Sequence, residues 1–335
     1  MSIKNKIVNP DLQEERDKIA FNETEMTEFL FGKDRLEVLA RVVSDQKKYP
    51  EIKTGFEWYE MTREEKMEDW LKKYNRMAAI DRDFYIDNPV NSRMFSWTYL
   101  QVGINPLGMH TSMFTKCIED LASDEQGSAL LPKVKSLGMI GCYAQTELGH
   151  GSNVSGLETT AKLDTKTDEF IIHSPTITST KFWPGSLGVM ANHAVVFAKL
   201  YTGLDEDFDY GPQAFLVPIR SVETHMPLEG IEVGDLGAKF GYNSMDNGYL
   251  RFNQVRIPRT NLLCRFAGVT ADGEFEMRGD PRLLYRIMVN TRMLLIFGSG
   301  FFMYKALTIA TRYAVCRRQF KTVPGVKSER KLLDY

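Results

Sequence analysis

The stretch that decides the reading runs GCYAQTELGHGSNVSG over residues 141–156 and is followed, across a predicted hairpin, by TSTKFWPGSLG over 178–188. The first run spends Gly141, Gly149, Gly151 and Gly156 on backbone freedom and sets Thr146, Ser152 and Asn153 among them. Lacking a Cβ, a glycine lets the backbone approach a flat or phosphorylated ligand closely. A glycine run works as a dinucleotide fingerprint only between a strand and a helix that opens on it. Residues 157–164 read instead as another strand, so this is not a Rossmann phosphate loop.

On either side of this core the pattern changes. From residue 10 to 131 it is helical. The run Thr62-Arg-Glu-Glu65 has the form of a capping box, and Met67, Trp70, Leu71, Tyr74 and Met77 then recur at helical spacing. Pro89, Gly103 and the NPLG run at 105–108 break the pattern before a second helical stretch over about 111–122. His110, just ahead of it, reads as a loop or cap histidine.

Between residues 140 and 265 short runs rich in β-branched and aromatic residues replace the helical period, at 169–173, 193–198, 213–217 and 249–252. Residues 164–168 read as the turn of a first hairpin, and Asp246-Asn-Gly248 as another turn, because Asn and Gly tolerate positive φ. After residue 272 the helical period returns. Asp280-Pro281 reads as a helix start, and Leu284, Ile287, Met288, Thr291, Leu294, Leu295, Gly298, Phe301 and Phe302 form a broad apolar face. The expected architecture is α+β and multi-domain: a helical domain over 1–139, a central β barrel or sandwich over 140–272, and the beginning of a C-terminal helical bundle over 273–335.

Composition narrows the function classes. A chain of 335 residues exceeds one usual core, so two or three domains are expected. A net charge of −2 without a long basic block argues against a nucleic-acid partner. Cys117, Cys142, Cys264 and Cys316 form no CxxC pair and read as reduced thiols of an intracellular protein. The polar N-terminus lacks the apolar core of a signal peptide. The longest apolar run, 293–304, is short of the ~20 residues that span a bilayer, so no membrane span is expected. The five histidines show no metal-ligand spacing and no GxSxG elbow occurs.

YAQTELGHGS, KFWPGSLG, KFGYNSMDNGYLRFNQVRIPR and YAVCRRQF, in this order, resemble the flavin-dependent acyl-CoA oxidases, the peroxisomal branch of the acyl-CoA dehydrogenase superfamily. The opening NPDLQEER resembles the oxidase branch as well. The resemblance implies an acyl-CoA dehydrogenase-like fold, FAD as cofactor, and α,β-desaturation of a fatty acyl-CoA to the trans-2-enoyl-CoA, with molecular oxygen as electron acceptor and hydrogen peroxide as product. It implies the first step of peroxisomal β-oxidation and an oligomer, either a homodimer or a related hetero-oligomer. The C-terminal Leu-Leu-Asp-Tyr is not a Ser-Lys-Leu-type signal, so a peroxisomal location rests on the resemblance.

The resemblance also assigns residues. Thr146 is the hydroxyl that hydrogen-bonds the isoalloxazine, inside a loop that includes Tyr143. Gly185 is the second flavin contact, and Trp183 borders the ring or belongs to the core. Ser152 corresponds to a position that meets flavin and acyl-CoA. Arg317, Gln319 and Phe320 match an Arg-x-Gln-Phe element that reaches from a neighbouring subunit towards the FAD pyrophosphate and adenine; otherwise Arg317 is part of a solvated basic helix end. An arginine fork suits phosphate oxygens. Arg292 faces the CoA nucleotide or is an exposed helix charge.

The proton-abstracting base of the family is a glutamate in a Phe-Glu-Gly-type motif far towards the C-terminus, and no such motif occurs in this sequence. No catalytic residue is therefore assigned. The alternatives are an acyl-CoA dehydrogenase and a catalytically incomplete flavin- or acyl-CoA-binding fragment or subunit. The chain is expected to be the first half of an oxidase, and its unfinished bundle to expose core surface.

Overall fold

A computed structural model of the chain describes residues 8–88, 90–92, 95, 105–204, 208–280, 282–283, 286–321, 324–325 and 328–335. The expected helix breakers Pro89 and Gly103, together with Pro281 and Leu284 of the last predicted helix, lie outside these residues. The chain forms two compact units, one made of residues 1–50, 83–99 and 293–335, the other of 51–82 and 100–292.

In the first unit, α1 (Pro10–Asp17) begins where the Asn9 side chain accepts the Asp11 N–H, with Pro10 in the first turn. Asn22 caps α2 (Glu23–Phe31) in the same way. On α3 (Lys33–Lys48) the buried residues are Val42 and Gln46, and Asp45 accepts the Tyr85 hydroxyl at 2.7 Å.

In the second unit, the Thr62–Glu65 capping box forms as expected. The Thr62 N–H donates to the Glu65 carboxylate at 2.7 Å and the Glu65 N–H to the Thr62 hydroxyl at 3.2 Å. It opens α4 (Arg63–Arg82), on which Met67, Trp70, Tyr74 and Met77 are buried while Leu71 is only partly so. The predicted second helical stretch begins with a π-helical turn at His110–Phe114 and continues as α5 (Thr115–Leu121), followed by α6 (Asp124–Lys135). His110 is not a loop histidine. It is 2% exposed, and it joins this helical segment to the sheet.

The sheets lie in the same unit. The large one contains β1 (Gly141–Ala144), β2 (Thr160–Asp164), β3 (Glu169–His173), β5 (His193–Tyr201), β6 (Pro212–Pro218) and β9 (Val255–Pro258). The small one contains β4 (Lys181–Phe182), β7 (Ile231–Asp235) and β8 (Gly248–Phe252), in the order β4-β8-β7. β10 (Ala267–Val269) and β11 (Phe275–Met277) form a separate ribbon. Residues 164–168 do turn a hairpin, with Asp164 paired to Glu169.

Along β5 and β6 both faces are buried, which is why these strands read as nearly continuous apolar runs. Val196, Ala198, Leu200, Phe215 and Val217 share a core with Leu250 and Phe252 of the small sheet. Their neighbours Val195, Phe197, Ala214 and Leu216 share a second core with Phe114, Cys117, Ile118 and Val134 of the helical segments.

β1 and β2 occupy the same edge of β5. β1 pairs in parallel with His193–Val196 and β2 with Lys199–Tyr201. The two-residue gap at Phe197 and Ala198 is where residues 145–159 leave the sheet as a loop.

Three expectations are corrected. Asp246-Asn-Gly248 is not the turn; Asp246 is fully buried, and the turn falls just before it, with positive φ at Tyr242. The glycines of 141–156 have no positive φ among the described residues; Gly141 is needed for room, since a Cβ there would lie 2.1 Å from the Phe114 ring. The apolar run of 293–304 is part of a longer helix, α7 (Arg286–Cys316), which is long and apolar enough to cross a membrane by length and composition. Gly298-Ser-Gly300 does not interrupt it, and the Ser299 hydroxyl donates to the Leu295 carbonyl at 2.8 Å within the helix.

Within the first unit, Phe301 and Tyr304 of α7 pack against Phe31 with ring centroids 5.9 and 5.8 Å away. Beyond α7, β12 (Arg318–Gln319) pairs with β13 (Arg330–Lys331). Much of the apolar surface of α7 is exposed.

Candidate functional site

The two motif segments are joined directly. The Phe182 N–H donates to the Thr146 carbonyl at 3.0 Å, and the Leu148 and Gly149 N–H groups donate to the carbonyls of Thr180 and Thr178 at 2.8 and 2.9 Å. Thr146 is exposed between buried Gln145 and Glu147, so the backbone turns its side chain outward while both neighbours anchor inward. Tyr143 is half-buried; its hydroxyl donates to Gln145 Oε1 at 2.9 Å and its ring lies 5.0 Å from that of Phe197. Ser152 sits in the exposed part of the loop.

Trp183 is 53% exposed and has φ of 83°, a conformation rare for a bulky residue and costing about 1–3 kcal/mol. It is held there on both sides: its N–H donates to the Gly248 carbonyl at 2.9 Å and its carbonyl accepts from Asn247 Nδ2 at 2.8 Å. The fold thus holds an indole out of the core, one residue after the Phe182 that bonds Thr146. Gly185 is buried, and a Cβ on it would lie 2.6 Å from Met109 Cγ and 2.8 Å from Met245 Sδ. Two methionines therefore require the missing side chain.

The loop after Gly185 is fixed by two buried groups that the motif reading missed. The Arg220 guanidinium donates to the carbonyls of Leu187, Gly188 and Ala191 at 3.0, 2.9 and 2.5 Å. Asp246 Oδ2 accepts the N–H groups of Val189 and Met190 at 2.9 and 2.8 Å. Burial raises the Asp246 carboxyl pKa and lowers that of Arg220. Neither residue carries a local signal, since each partner lies 29 or more positions away in sequence.

Arg292 is exposed on α7. Arg317, Gln319 and Phe320 belong to the first unit, away in sequence from the loops above. All three are exposed, and Phe320 has φ of 58°. Arg318 between them is taken up by Asp11, whose two oxygens accept its Nη2 at 2.7 and 2.9 Å, with Lys331 Nζ at 3.2 Å. Asp11 of the NPDLQEER segment therefore ties β12 and β13 down immediately after Arg317.

An exposed hydroxyl-bearing residue and an exposed indole, on two mutually bonded segments, fit a flat ring with polar edges. Residues 22–140 match the acyl-coenzyme A oxidase N-terminal family, 142–255 the acyl-CoA dehydrogenase middle domain, and 285–335 the acyl-CoA oxidase C-alpha1 domain. Peroxisomal acyl-coenzyme A oxidase 1 of Phascolarctos cinereus is 41% identical over 98% of this chain and 49% of its own length. Among solved structures, Arabidopsis thaliana acyl-CoA oxidase 1 superposes with a TM-score of 0.87 at 38% identity, covering 98% of this chain and 50% of its own. Caenorhabditis elegans acyl-CoA oxidase-2, bound with FAD, ascaroside-CoA and ATP, gives 0.90 at 36%, covering 99% and 50%.

The fold and these matches define a protein of the acyl-CoA dehydrogenase superfamily. Within it the chain belongs to the acyl-CoA oxidases, with an N-terminal helical domain, a β middle domain and the start of the C-terminal helical region. It spans about half the length of the relatives it matches.

Proposed function

We propose that the chain is the flavin-facing half of a FAD-dependent acyl-CoA oxidase that desaturates a fatty acyl-CoA to the trans-2-enoyl-CoA, with oxygen as acceptor and hydrogen peroxide as product. The observation that carries this reading is the bond from Phe182 N–H to the Thr146 carbonyl, which joins the segment of the exposed Thr146 to the segment that holds Trp183 outward. The oxidase branch is favoured by the match of residues 22–140 to the oxidase N-terminal family. The peroxisomal location and the first step of β-oxidation rest on the name and likeness of relatives such as that of Phascolarctos cinereus.

When bound, FAD supplies the hydride acceptor. Thr146, Tyr143, Trp183 and Gly185 would hold the flavin ring, Thr146 by a hydrogen bond from its hydroxyl. Ser152 would meet both the flavin and acyl-CoA, and Arg292 the CoA nucleotide. Arg317, Gln319 and Phe320 serve the pyrophosphate and adenine of a neighbouring subunit's FAD, which calls for a homodimer or a related hetero-oligomer. We assign the domains to 1–139, 140–272 and 273–335. We read the exposed face of α7 as a packing surface for further helices rather than a membrane span, in line with the C-alpha1 match of this region.

A second reading is favoured by one observation: the sequence has no Phe-Glu-Gly motif to supply the base. On that reading the chain is a flavin- or acyl-CoA-binding fragment or subunit. Flavin absorbance and peroxide release on adding a fatty acyl-CoA test both, with the 335-residue chain measured beside a longer product. Flavin binding by both and turnover only by the longer one is expected. No flavin binding by either overturns the oxidase reading, and steady turnover by the 335-residue chain overturns the fragment reading. Slow reoxidation of reduced flavin by air would point to a dehydrogenase instead.

A further inference from the structure

The loop of residues 145–159 leaves and re-enters the large sheet through the two-residue gap in the edge of β5, and a buried ion pair fills that neck. Lys181 and Glu147 side chains are both 0% exposed, with Nζ to Oε1 at 2.9 Å. Lys181 Nζ also donates to the carbonyl of Phe197, which lies in the gap, at 2.6 Å, and to the Gln145 carbonyl at 3.3 Å. All three ammonium hydrogens thus have acceptors. Glu147 Oε1 accepts the Thr159 N–H and hydroxyl at 3.0 and 2.6 Å, and Oε2 accepts the Glu158 N–H at 2.7 Å. The pair therefore joins the outgoing strand of the loop at 145–147, the returning strand at 158–159, the unpaired rung of β5 and the start of the Lys181–Phe182 segment.

Isolated buried charges are very costly, and even a good buried pair contributes little net stability compared with apolar groups of the same volume. What such a pair fixes is geometry, because every atom of it has one set of partners. Thr146 sits between two of those anchored residues, Gln145 and Glu147, and its own carbonyl is held by Phe182, the neighbour of Lys181.

We propose that Lys181 and Glu147 are positioning residues for the flavin contact: the buried pair closes the loop neck and thereby sets where Thr146 stands relative to Trp183. This rests on the reading of Thr146 and Trp183 as flavin-facing. The pair acts through the loop backbone and touches no ligand itself. Burial lowers the Lys181 ammonium pKa, and the Glu147 carboxylate beside it opposes that shift.

The test compares three variants of the FAD-reconstituted protein with wild type by FAD dissociation constant, flavin visible spectrum and thermal midpoint. Lys181→Met with Glu147→Gln removes the ion pair without leaving an orphaned charge. Thr159→Val is milder, deleting the hydroxyl donor to Glu147. Ile172→Ala is a destabilised control in the core of the same sheet, where Ile172 is fully buried. The double variant is expected to raise the FAD dissociation constant tenfold or more and shift the visible band. Thr159→Val should raise it about threefold and shift the band in the same direction, and it decides the matter if the double variant does not fold. Ile172→Ala should lower the midpoint but leave constant and band within twofold of wild type. Unchanged FAD binding and spectrum in the folded neck variants overturns the proposal, as does an equal change in Ile172→Ala. If wild type itself binds no FAD, the flavin reading fails and the proposal with it, a result distinct from either of the others.

Discussion

His110 and Gly141 meet through the imidazole: Nδ1 accepts the Gly141 N–H at 3.1 Å, while Nε2 lies 3.3 Å from the Val134 carbonyl. One neutral tautomer, with the proton on Nε2, satisfies both contacts. An imidazolium would turn an N–H towards the Gly141 N–H, and burial already lowers the His110 pKa to about 4.

The pH dependence follows from that depression. As pH falls, the unfolded chain takes up the proton near 6.5 and the folded chain only near 4, so the stability is complete above 6.5 and is lost on the way down to 4. The loss is about 3 kcal/mol on the usual scale of 1.36 kcal/mol per unit. His193, also lowered to about 4 by burial and Lys133, acts in the same direction. Thermal unfolding at pH 7.5, 6 and 5 should show a falling midpoint in wild type and a shallower fall in His110→Gln. A slope unchanged by the substitution would assign the acid sensitivity elsewhere.

Gly141 also carries a packing prediction. A Cβ there would sit 2.1 Å from a carbon of the Phe114 ring, which is fully buried. Overpacking of this kind costs about 1–3 kcal/mol. Gly141→Ala should lower the unfolding midpoint accordingly, and Phe114→Leu, which is itself destabilising, should cost less in the Gly141→Ala background than in wild type. Additive effects in that double-mutant cycle would show that the two sites do not compete for space.

The charge of Asp246 is separable from its hydrogen bonds. Oδ2 accepts both loop N–H groups, whereas Oδ1 is buried without a hydrogen-bond partner. Asp246→Asn can keep its carbonyl oxygen in the Oδ2 position, so it should cost less than removal of the whole side chain. Asp246→Ala leaves the two N–H groups without their acceptor and should cost about 2–3 kcal/mol. Denaturant unfolding of the two variants decides it, and an equal loss in both would mean that the charge itself is required.

The elements legible in the sequence were those whose cause is local. The Thr62–Glu65 box needs only four residues, and the β5 and β6 runs announce themselves because alternate residues feed two cores. Asp246-Asn-Gly248 has turn composition, yet its aspartate is spent on a loop 56 and 57 positions away. Lys181 and Glu147 are 34 positions apart, and nothing in either neighbourhood marks them as a pair. The glycines of 141–156 suggested conformational freedom, whereas Gly141 answers to Phe114. The motif segments could be found from sequence, but their meeting at Thr146 and Phe182 brings the loop after a strand of the large sheet onto a strand of the small one, which no local pattern announces.

The last prediction concerns α7. Its residues Leu294, Gly298, Phe301, Lys305 and Thr308, at helical spacing, are at least half covered, while Leu295, Phe302 and Ile309, seven apart, are 63, 65 and 70% exposed. The predicted broad apolar face is thus divided: one stripe is satisfied within the first unit and the adjoining one is bare. A contiguous apolar stripe of this kind marks a surface that another element covers. The 335-residue chain in isolation should therefore bind a hydrophobic dye and associate with rising concentration. Leu295→Lys, Phe302→Lys and Ile309→Lys together should suppress both without lowering the thermal midpoint, since exposed positions contribute little to stability. A monomeric wild-type chain that ignores the dye, or a triple variant that no longer folds, would mean that the stripe is already covered by the chain's own residues.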